Sequence, residues 1–200
     1  MDDDAYLTLA DLSKGLFKEK GSKFLSFAFP VTQEQEVKEH LQALKKIYYD
    51  ARHCCYAYIL DKNIYRVSDD GEPMNSAGNP ILGQIRSKNL SNVLIVVVRY
   101  FGGTKLGVSG LVNAYKTAAS SALENGKIIT AFKMQRGQLQ FQYPKMNEAM
   151  KLIKEFELKI LTQKFELNCL IQFEGREKKF IELEERIKLM SGIFLKRAES

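Results

Sequence analysis

The spacing of apolar side chains in the first half of the chain predicts alternating strands and helices. Residues 24–31 place apolar side chains at every second position, which is the pattern of a strand. A helix is predicted to follow as far as Tyr48, because its apolar positions recur every three or four residues. Thr32 and Gln35 at its start have the spacing of a capping box. The same patterns predict strands at residues 53–60, 64–67 and 92–100 and a short helix at residues 79–87.

The most apolar segment of the chain is residues 93–98, which read Val-Leu-Ile-Val-Val-Val. Such a continuous β-branched run predicts a strand covered on both faces. It is far shorter than the roughly 20 residues that a membrane-spanning helix needs. After a glycine-rich segment, a second long helix is predicted over residues 111–124, with Ser109 as its N-cap and Gly126 just beyond its end.

The pattern of elements starts again near residues 128–135, so we predict two domains, 1–130 and 131–200. The second domain reads as strand, helix, strand, strand, helix, strand, which is the ferredoxin-like βαββαβ plan. Its predicted strands are residues 137–143, 158–165, 167–173 and 193–196, and its predicted helices are residues 144–156 and 176–190.

Composition and charge narrow the class of protein without fixing its function. Hydrophobic residues make up 45% and charged residues 27% of the chain, which is typical of a globular protein and argues against disorder. The net charge of +6 is compatible with a nucleic-acid partner but does not require one. Residues 1–4 lack the basic start and apolar core of a secretory signal, and three cysteines provide no disulfide framework. We therefore expect a soluble cytoplasmic protein that binds no membrane.

The segment 99–110 joins the buried strand to the following helix and is the strongest candidate for a binding site. Its glycines allow backbone N–H groups to turn toward a ligand, and a helix start adds partial positive charge. We predict a phosphate or nucleic-acid site formed by Arg99, Tyr100, Gly102, Gly103, Lys105, Gly107 and Gly110. The alternative is a tight turn that needs positive φ angles and close packing. The segment matches neither the P-loop nor the GxGxxG pattern.

Three carboxylates, Asp69, Asp70 and Glu72, lie in one predicted turn. Their oxygens are of the type that Mg²⁺ prefers. The favoured alternative is a surface turn, which could also meet a basic partner or cap the helix at residues 79–87. Together with Arg52 and His53, which lie near the start of a strand, these carboxylates are possible additional contacts of the site.

Cys54 and Cys55 are adjacent in the predicted strand 53–60, so their side chains point to opposite faces, with His53 on the Cys55 side. This arrangement does not easily chelate one ion, and the chain has no CxxC motif. We predict buried structural cysteines, no metal site and no cofactor. No complete catalytic signature is present, so no catalytic residue is predicted; a Cys–His nucleophile pair is the alternative.

These segments resemble the IMPACT/YigZ family in order and spacing over residues 20–126. In bacterial members a second His usually stands where this chain has Cys54, and Met74 and Asn75 replace commoner small residues. The first departure argues against paired histidines as metal ligands. The second domain resembles the less distinctive C-terminal domain of bacterial YigZ-type members. The segments that carry the resemblance are residues 50–58, 68–73, 77–82, 92–107 and 110–115.

The resemblance implies an α+β protein whose first domain is of the ribosomal-protein type with a left-handed βαβ crossover. It implies that the ferredoxin-like second domain is similar to the last domain of elongation factor G. It also implies a role in translation, because eukaryotic members compete for a regulator of an initiation-factor kinase and bacterial members have been suggested to bind nucleic acid.

The favoured hypothesis is therefore a non-catalytic protein that binds RNA or phosphate through the glycine-rich loop. Its expected partners are RNA, the ribosome or translation factors, and its expected role is the regulation of translation. One alternative is a Mg²⁺-dependent enzyme acting on a phosphorylated small molecule. The other is a protein-interaction module that titrates a translation regulator.

Overall fold

The computed structural model describes residues 3–61 and 64–198 of the chain. Helices and strands are both present, which confirms the predicted α+β class. The helices are α1 Glu34–Ile47, α2 Gly78–Ser87, α3 Gly107–Glu124, α4 Met146–Glu155 and α5 Glu177–Lys188. The strands are β1 Ala5–Leu9, β2 Ser13–Glu19, β3 Ser22–Pro30, β4 His53–Asp61, β5 Ile64–Ser68, β6 Val93–Tyr100, β7 Ile128–Phe132, β8 Met134–Gln142, β9 Lys159–Lys164, β10 Asn168–Arg176 and β11 Ile193–Arg197.

The described residues divide into two compact units. One unit consists of residues 7–130, and the other consists of residues 131–198 together with residues 3–6. The sequence had placed residues 3–6 in the first domain. They belong to the other unit because the Asp4 carboxylate binds the Arg176 guanidinium there, at 2.8 Å between Oδ1 and NH2. No helix in the described part of the chain has the length and apolar character needed to cross a membrane.

Five strands of the 7–130 unit form one antiparallel sheet in the order β2-β3-β6-β4-β5. β3 and β4 both run antiparallel to β6, which lies between them, and α1 connects β3 to β4. Residues 93–98 of β6 have no exposed surface, which confirms that both faces of this strand are covered.

Alternation along these strands divides the core of the unit into two layers. On one face of the sheet, side chains of α1 cluster with Phe27, Phe29 and Val96. On the other face, side chains of α2 and α3 cluster with Ile95 and Val97. Residues that lie opposite each other in paired strands point to the same face. The ends of β4 and β6 therefore present neighbouring side chains to the α3 side of the sheet.

The start of α1 differs from the prediction. The helix begins at Glu34 with Gln33 as its N-cap, and no side chain caps it. The capping box of Thr32 and Gln35 does not form. Instead, the Glu36 carboxylate accepts a hydrogen bond from the Thr32 backbone N–H at 2.6 Å. A carboxylate in the first turn also interacts favourably with the helix dipole.

Three strands, β1, β2 and β7, were not predicted from the sequence. β2 is an edge strand, and β1 pairs with β7 in a sheet of only two strands. Strands of this kind bury few side chains, and every residue of β7 is at least partly exposed. Their hydrophobic periodicity is correspondingly weak, which is why it gave no signal.

The 131–198 part of the second unit contains β8, α4, β9, β10, α5 and β11 in the predicted βαββαβ order. Its four strands form an antiparallel sheet in the order β11-β8-β10-β9. Buried side chains of the sheet, including Phe141, Ile171 and Phe173, cluster with Leu152 of α4 and Phe180 of α5. Both helices therefore cover the same face of this sheet.

Candidate anion-binding site

A depression of about 460 Å³ in the 7–130 unit brings together the start of β4, the end of β6 and the start of α3. The turn between β5 and α2 completes its wall. We call this depression the Arg99 pocket. It is lined by Arg52, His53, Gly71, Glu72, Pro73, Arg99, Phe101, Lys105, Leu106, Gly107, Val108 and Leu111.

Strand register places the two innermost polar side chains of the pocket side by side. His53 of β4 lies directly opposite Arg99 of β6. His53 is two positions from Cys55 in β4, and Arg99 is two positions from Val97 in β6. Because Cys55 and Val97 face α3, His53 and Arg99 point to the same side of the sheet. Cys54 packs on the opposite face with the α1 cluster, so the predicted division of His53 and Cys55 from Cys54 is confirmed.

Glu72 is the centre of the polar network in the pocket. Its Oε1 accepts a hydrogen bond from Arg99 NH1 at 2.5 Å and another from the Tyr115 hydroxyl at 2.7 Å. His53 Nε2 lies 3.8 Å from the same oxygen, and His53 Nδ1 lies 2.8 Å from the Asp70 carbonyl. Because a carbonyl only accepts, Nδ1 carries a proton and Nε2 faces the carboxylate.

Arg99 is a buried cation whose hydrogen-bonding capacity is only partly used. Its side chain is 6% exposed, and its guanidinium lies over the rings of Phe24 and Phe101 at 5.4 and 5.7 Å. Among the described residues, Glu72 is its one hydrogen-bond partner, and Nε is buried without a partner. A guanidinium has five N–H donors, so Arg99 retains donors for a further acceptor.

Helix α3 begins at the pocket, and it begins earlier than predicted. It starts at Gly107, and Ser109 lies in its first turn instead of capping it. The N-cap is Leu106, which provides no side-chain hydrogen bond to the helix. The first backbone N–H groups of a helix have no intrahelical acceptor. Those of α3 therefore remain available at the edge of the pocket, next to the exposed Lys105.

The structure brings six of the predicted site residues into the pocket: Arg52, His53, Glu72, Arg99, Lys105 and Gly107. Tyr100 instead donates a hydrogen bond to Asp50 at 2.7 Å and lines a separate depression with Leu25 and Tyr48. This hydrogen bond is the main cause that raises the pKa of Tyr100 to about 12. Gly103 and Gly110 lie nearby without lining the pocket.

Gly102 has a structural role. A Cβ atom at this position would lie 1.9 Å from the Gly21 carbonyl carbon, so only glycine permits this approach of two backbones. Its N–H donates to the Ser22 hydroxyl at 3.1 Å. Gly103 has a φ of +85° and open space around it, so backbone conformation and not packing selects glycine there.

The three carboxylates of the acidic turn do not converge. Asp69 accepts hydrogen bonds from the backbone N–H groups of Ala77 and Gly78 at 2.9 and 2.8 Å, and thereby stabilises the start of α2. Asp70 accepts one from the Cys54 N–H at 2.7 Å. In the described part of the chain, no three His, Cys, Asp or Glu residues are close enough to hold a metal ion.

Tyr115 was not predicted as a site residue. It is fully buried, and its hydroxyl donates a hydrogen bond to Glu72, which lines the pocket. Its hydroxyl lies 3.4 Å from Cys55 Sγ. Burial, followed by the neighbouring Cys55 and Glu72, raises the pKa of Tyr115 far above its usual range. A tyrosine on the buried face of an alanine-rich helix needs a partner for its hydroxyl, and that requirement was the available signal.

Comparison with known proteins places this site in a family. The model of the Impact N-terminal domain matches residues 20–123, which include every residue that lines the pocket. The chain is a member of the IMPACT family. A relative from Bacillus subtilis, described as IMPACT family member YvyE, is 37% identical over 123 residues. That match covers 60% of this chain and 57% of the relative, so it spans little more than half of the relative's length.

Two solved structures can be compared with this IMPACT-family chain. One, described only as a hypothetical protein, has a TM-score of 0.75 and 26% identity over 98% of both chains. The whole described fold therefore has a counterpart among known structures. The other is described as the two-domain translational regulator Yih1. It is 29% identical over 60% of this chain and 47% of its own, with a TM-score of 0.36.

Proposed function

We propose that this protein acts in translation as a non-catalytic RNA- or ribosome-associated factor, and that the Arg99 pocket binds an RNA phosphate. The observation that supports this most directly is the charge of the pocket. Its lining contains Arg52, Arg99 and Lys105 but only one carboxylate, Glu72, which leaves two positive charges in excess. Glu72 is already hydrogen-bonded to Arg99. An entering anion therefore meets Arg52 and Lys105, which have no ion pair with another described residue, instead of a free carboxylate.

The backbone contributes to the same chemistry. The uncapped first turn of α3 adds free N–H groups and the positive end of a helix dipole. Arg52 lies over the Phe101 ring at 5.8 Å and borders the pocket. Phosphate recognition by arginine, lysine and a helix start together is common among phosphate-binding proteins.

The setting in translation comes from the family. The resemblance to the IMPACT family implies a role in translation, and the model of the Impact N-terminal domain matches residues 20–123. The net charge of +6 agrees with a nucleic-acid partner. Binding to RNA through phosphates alone is independent of sequence, which suits a factor that docks on a ribosome-sized RNA surface.

The test is a salt titration of RNA binding by wild type and the Lys105→Ala variant. Loss of one phosphate contact reduces the slope of log affinity against log salt by about 0.7 to 0.9. Lys38→Ala is the matched control, because Lys38 is an exposed lysine on α1, on the opposite face of the sheet. An unchanged slope for Lys105→Ala would show that the loop is structural or serves another ligand. If the wild type bound no RNA in low salt, the interaction-module hypothesis would take precedence.

An enzyme acting on a phosphorylated small molecule is the second candidate, because His53 and the buried Glu72 share a pocket with these cations. The carboxylates do not support a Mg²⁺-dependent enzyme, because Asp69 and Asp70 accept hydrogen bonds from backbone N–H groups instead. Native mass spectrometry of the purified protein would detect a retained phosphorylated metabolite. Chemical conversion of that metabolite by wild type but not by His53→Ala would favour the enzyme.

A further inference from the structure

The four-stranded sheet of the 131–198 unit has one face that no helix of this unit covers in the described residues. α4 and α5 pack on the other face, against inward side chains such as Leu139 and Ile171. Alternation then assigns Gln138, Gln140, Leu170 and Gln172 to the uncovered face. All four are at least partly exposed, so solvent reaches this face.

Side chains on this face have an unusual composition for a surface. Amide side chains dominate it, and they run along the two central strands β8 and β10. Its cations are Arg136, Lys159, Lys164, Lys196 and also Arg176, which is paired with Asp4. Among the described strand residues of this face, Glu174 is the one carboxylate. Glu174 is paired with Arg136 at 2.9 Å, so the remaining three lysines give the face a net positive charge.

A single aromatic side chain stands out on this face. Phe194 of β11 is 64% exposed, and it lies directly opposite Gln140. Gln140 in turn lies opposite Leu170, and Leu170 lies opposite Lys164 of β9. One row across the sheet therefore presents an aromatic ring, an amide, an aliphatic group and a cation in that order.

The end of the same row opens into a depression of about 730 Å³. Its lining includes Phe194, Gln140, Leu170, Gln142 and Asn168, which all occupy the uncovered face, and also Lys145 at the edge. An exposed ring offers a stacking surface to a planar group, and the amides offer both donors and acceptors at its edge.

We propose that this face is a second RNA-binding surface that contacts the bases of a single strand, with Phe194 as the stacking residue. Single-stranded RNA fits this face because each unstacked base offers a ring face for stacking on Phe194 and an edge that can hydrogen-bond to the amides. The lysines can contact the phosphates between the bases. A lipid surface would need a larger apolar patch. The surface lies in a different unit from the Arg99 pocket and does not depend on the function proposed for that pocket.

The experiment measures binding of the full chain to a fluorescent 12-nucleotide oligo(U) and to an abasic ribose-phosphate strand of equal length. Phe194→Ala should weaken oligo(U) binding about 5- to 150-fold, which is the effect of losing one stacked base. It should leave binding of the abasic strand unchanged. Phe194→Tyr should bind as the wild type does, because tyrosine retains the ring.

Two controls separate this surface from the pocket and from misfolding. Leu189→Ala removes a similarly exposed apolar side chain just beyond α5, on the helical side of the sheet, and should have no effect. Lys105→Ala should weaken both probes equally if the pocket binds phosphate, and neither probe if it does not. Each result for Phe194 can therefore be read whatever the result for Lys105.

The proposal is overturned if Phe194→Ala binds oligo(U) as tightly as the wild type, or if the wild type binds the abasic strand as tightly as oligo(U). A wild type that fails to bind oligo(U) in low salt would also overturn it. Competition by polyglutamate as effective as competition by unlabelled oligo(U) would assign the surface to an acidic protein instead of RNA.

Discussion

At the scale of single residues, the site depends on how a buried charge is compensated. The side chain of Arg99, a cation, is 6% exposed. Its partner Glu72 is equally buried, with 4% of its side chain exposed, and Tyr115 holds the same oxygen. Removing one member of such a pair leaves the other as an isolated buried charge, which costs far more than the pair itself contributes.

Glu72→Ala is therefore expected to lower the free energy of unfolding by about 3 to 5 kcal/mol. The matched control is Glu174→Ala, which removes a carboxylate whose partner Arg136 has a 67% exposed side chain. A surface pair of this kind contributes at most about 1 kcal/mol. Urea unfolding followed by circular dichroism would give both values. A cost below 1 kcal/mol for Glu72→Ala would mean that Arg99 reaches solvent without its partner.

The sequence predicted part of this site for a clear physical reason. Arg99, Lys105 and Gly107 lie within one short segment whose glycines and charges are visible without a structure. Tyr115 and Phe24 could not be joined to it, because their contacts with Glu72 and Arg99 depend on how β3 and α3 pack. Sequence spacing carries no information on such long-range contacts.

At the scale of elements, strand alternation determines the chemistry of the cysteines. Cys54 and Cys55 are neighbours in β4 and yet pack into different layers of the core. Burial, as the largest cause, raises the pKa of Cys54 to about 11, and burial likewise raises the pKa of Cys55. The reactive form of a cysteine is its thiolate, so both side chains are expected to be inert.

All three cysteines are buried, so each should react slowly with a thiol reagent in the native protein at pH 8. With a pKa of about 11, roughly one Cys54 in a thousand is a thiolate at that pH. In denaturant, three thiols per chain should react at once, because the chain has three free cysteines. Counting modified thiols over time distinguishes the two states. One thiol that reacts rapidly in the native protein would contradict the buried structural role.

The start of α3 gives a second prediction at this scale. Gly107 has a φ of +72°, whereas Gly83 in the middle of α2 has ordinary helical geometry and open space around it. Gly107→Ala should destabilise the protein by about 1 kcal/mol or more, because a Cβ atom disfavours positive φ. Gly83→Ala should stabilise it by up to about 1 kcal/mol. Thermal unfolding of the two variants measures both shifts, and equal effects would refute the backbone argument.

Helix ends were the least predictable feature of the elements. Hydrophobic periodicity located α3 correctly but not its first turn, because residues 107–110 are two glycines, a serine and the exposed Val108, and the buried face begins at Leu111. The early start places the free N–H groups at Gly107, at the edge of the pocket. A helix that began at residue 111 would place them farther from Lys105.

At the scale of the whole molecule, the first residues of the chain belong with its last 70 or so. Asp4 binds Arg176, which is 172 positions away in the sequence, and its carboxylate is 3% exposed. The Arg176 guanidinium also lies over the Phe132 ring at 3.6 Å. No local pattern could predict this, because an acidic N-terminal tripeptide is ordinarily a solvated segment.

Asp4 should make the stability of the protein depend on pH in a defined direction. The hydrogen bond from Arg176, as the largest cause, lowers the pKa of Asp4 in the folded protein below its ordinary 3.8. A carboxyl group with a lowered folded pKa stabilises the protein above its unfolded pKa. That contribution is lost as the pH falls through the folded pKa. Asp4→Asn should remove it, at a cost of about 2 kcal/mol at pH 6.

The measurement is the free energy of unfolding of wild type and Asp4→Asn at several pH values from 6 down to 2.5. The difference between them should be constant above about pH 5 and should shrink below pH 3.8, because the wild type then becomes protonated like its neutral variant. Asp11→Asn is the control, since Asp11 is exposed and should leave the profile unchanged. A difference that persisted undiminished at pH 2.5 would show that Asp4 acts through packing and not through its charge, and would remove the electrostatic reason for grouping residues 3–6 with residues 131–198.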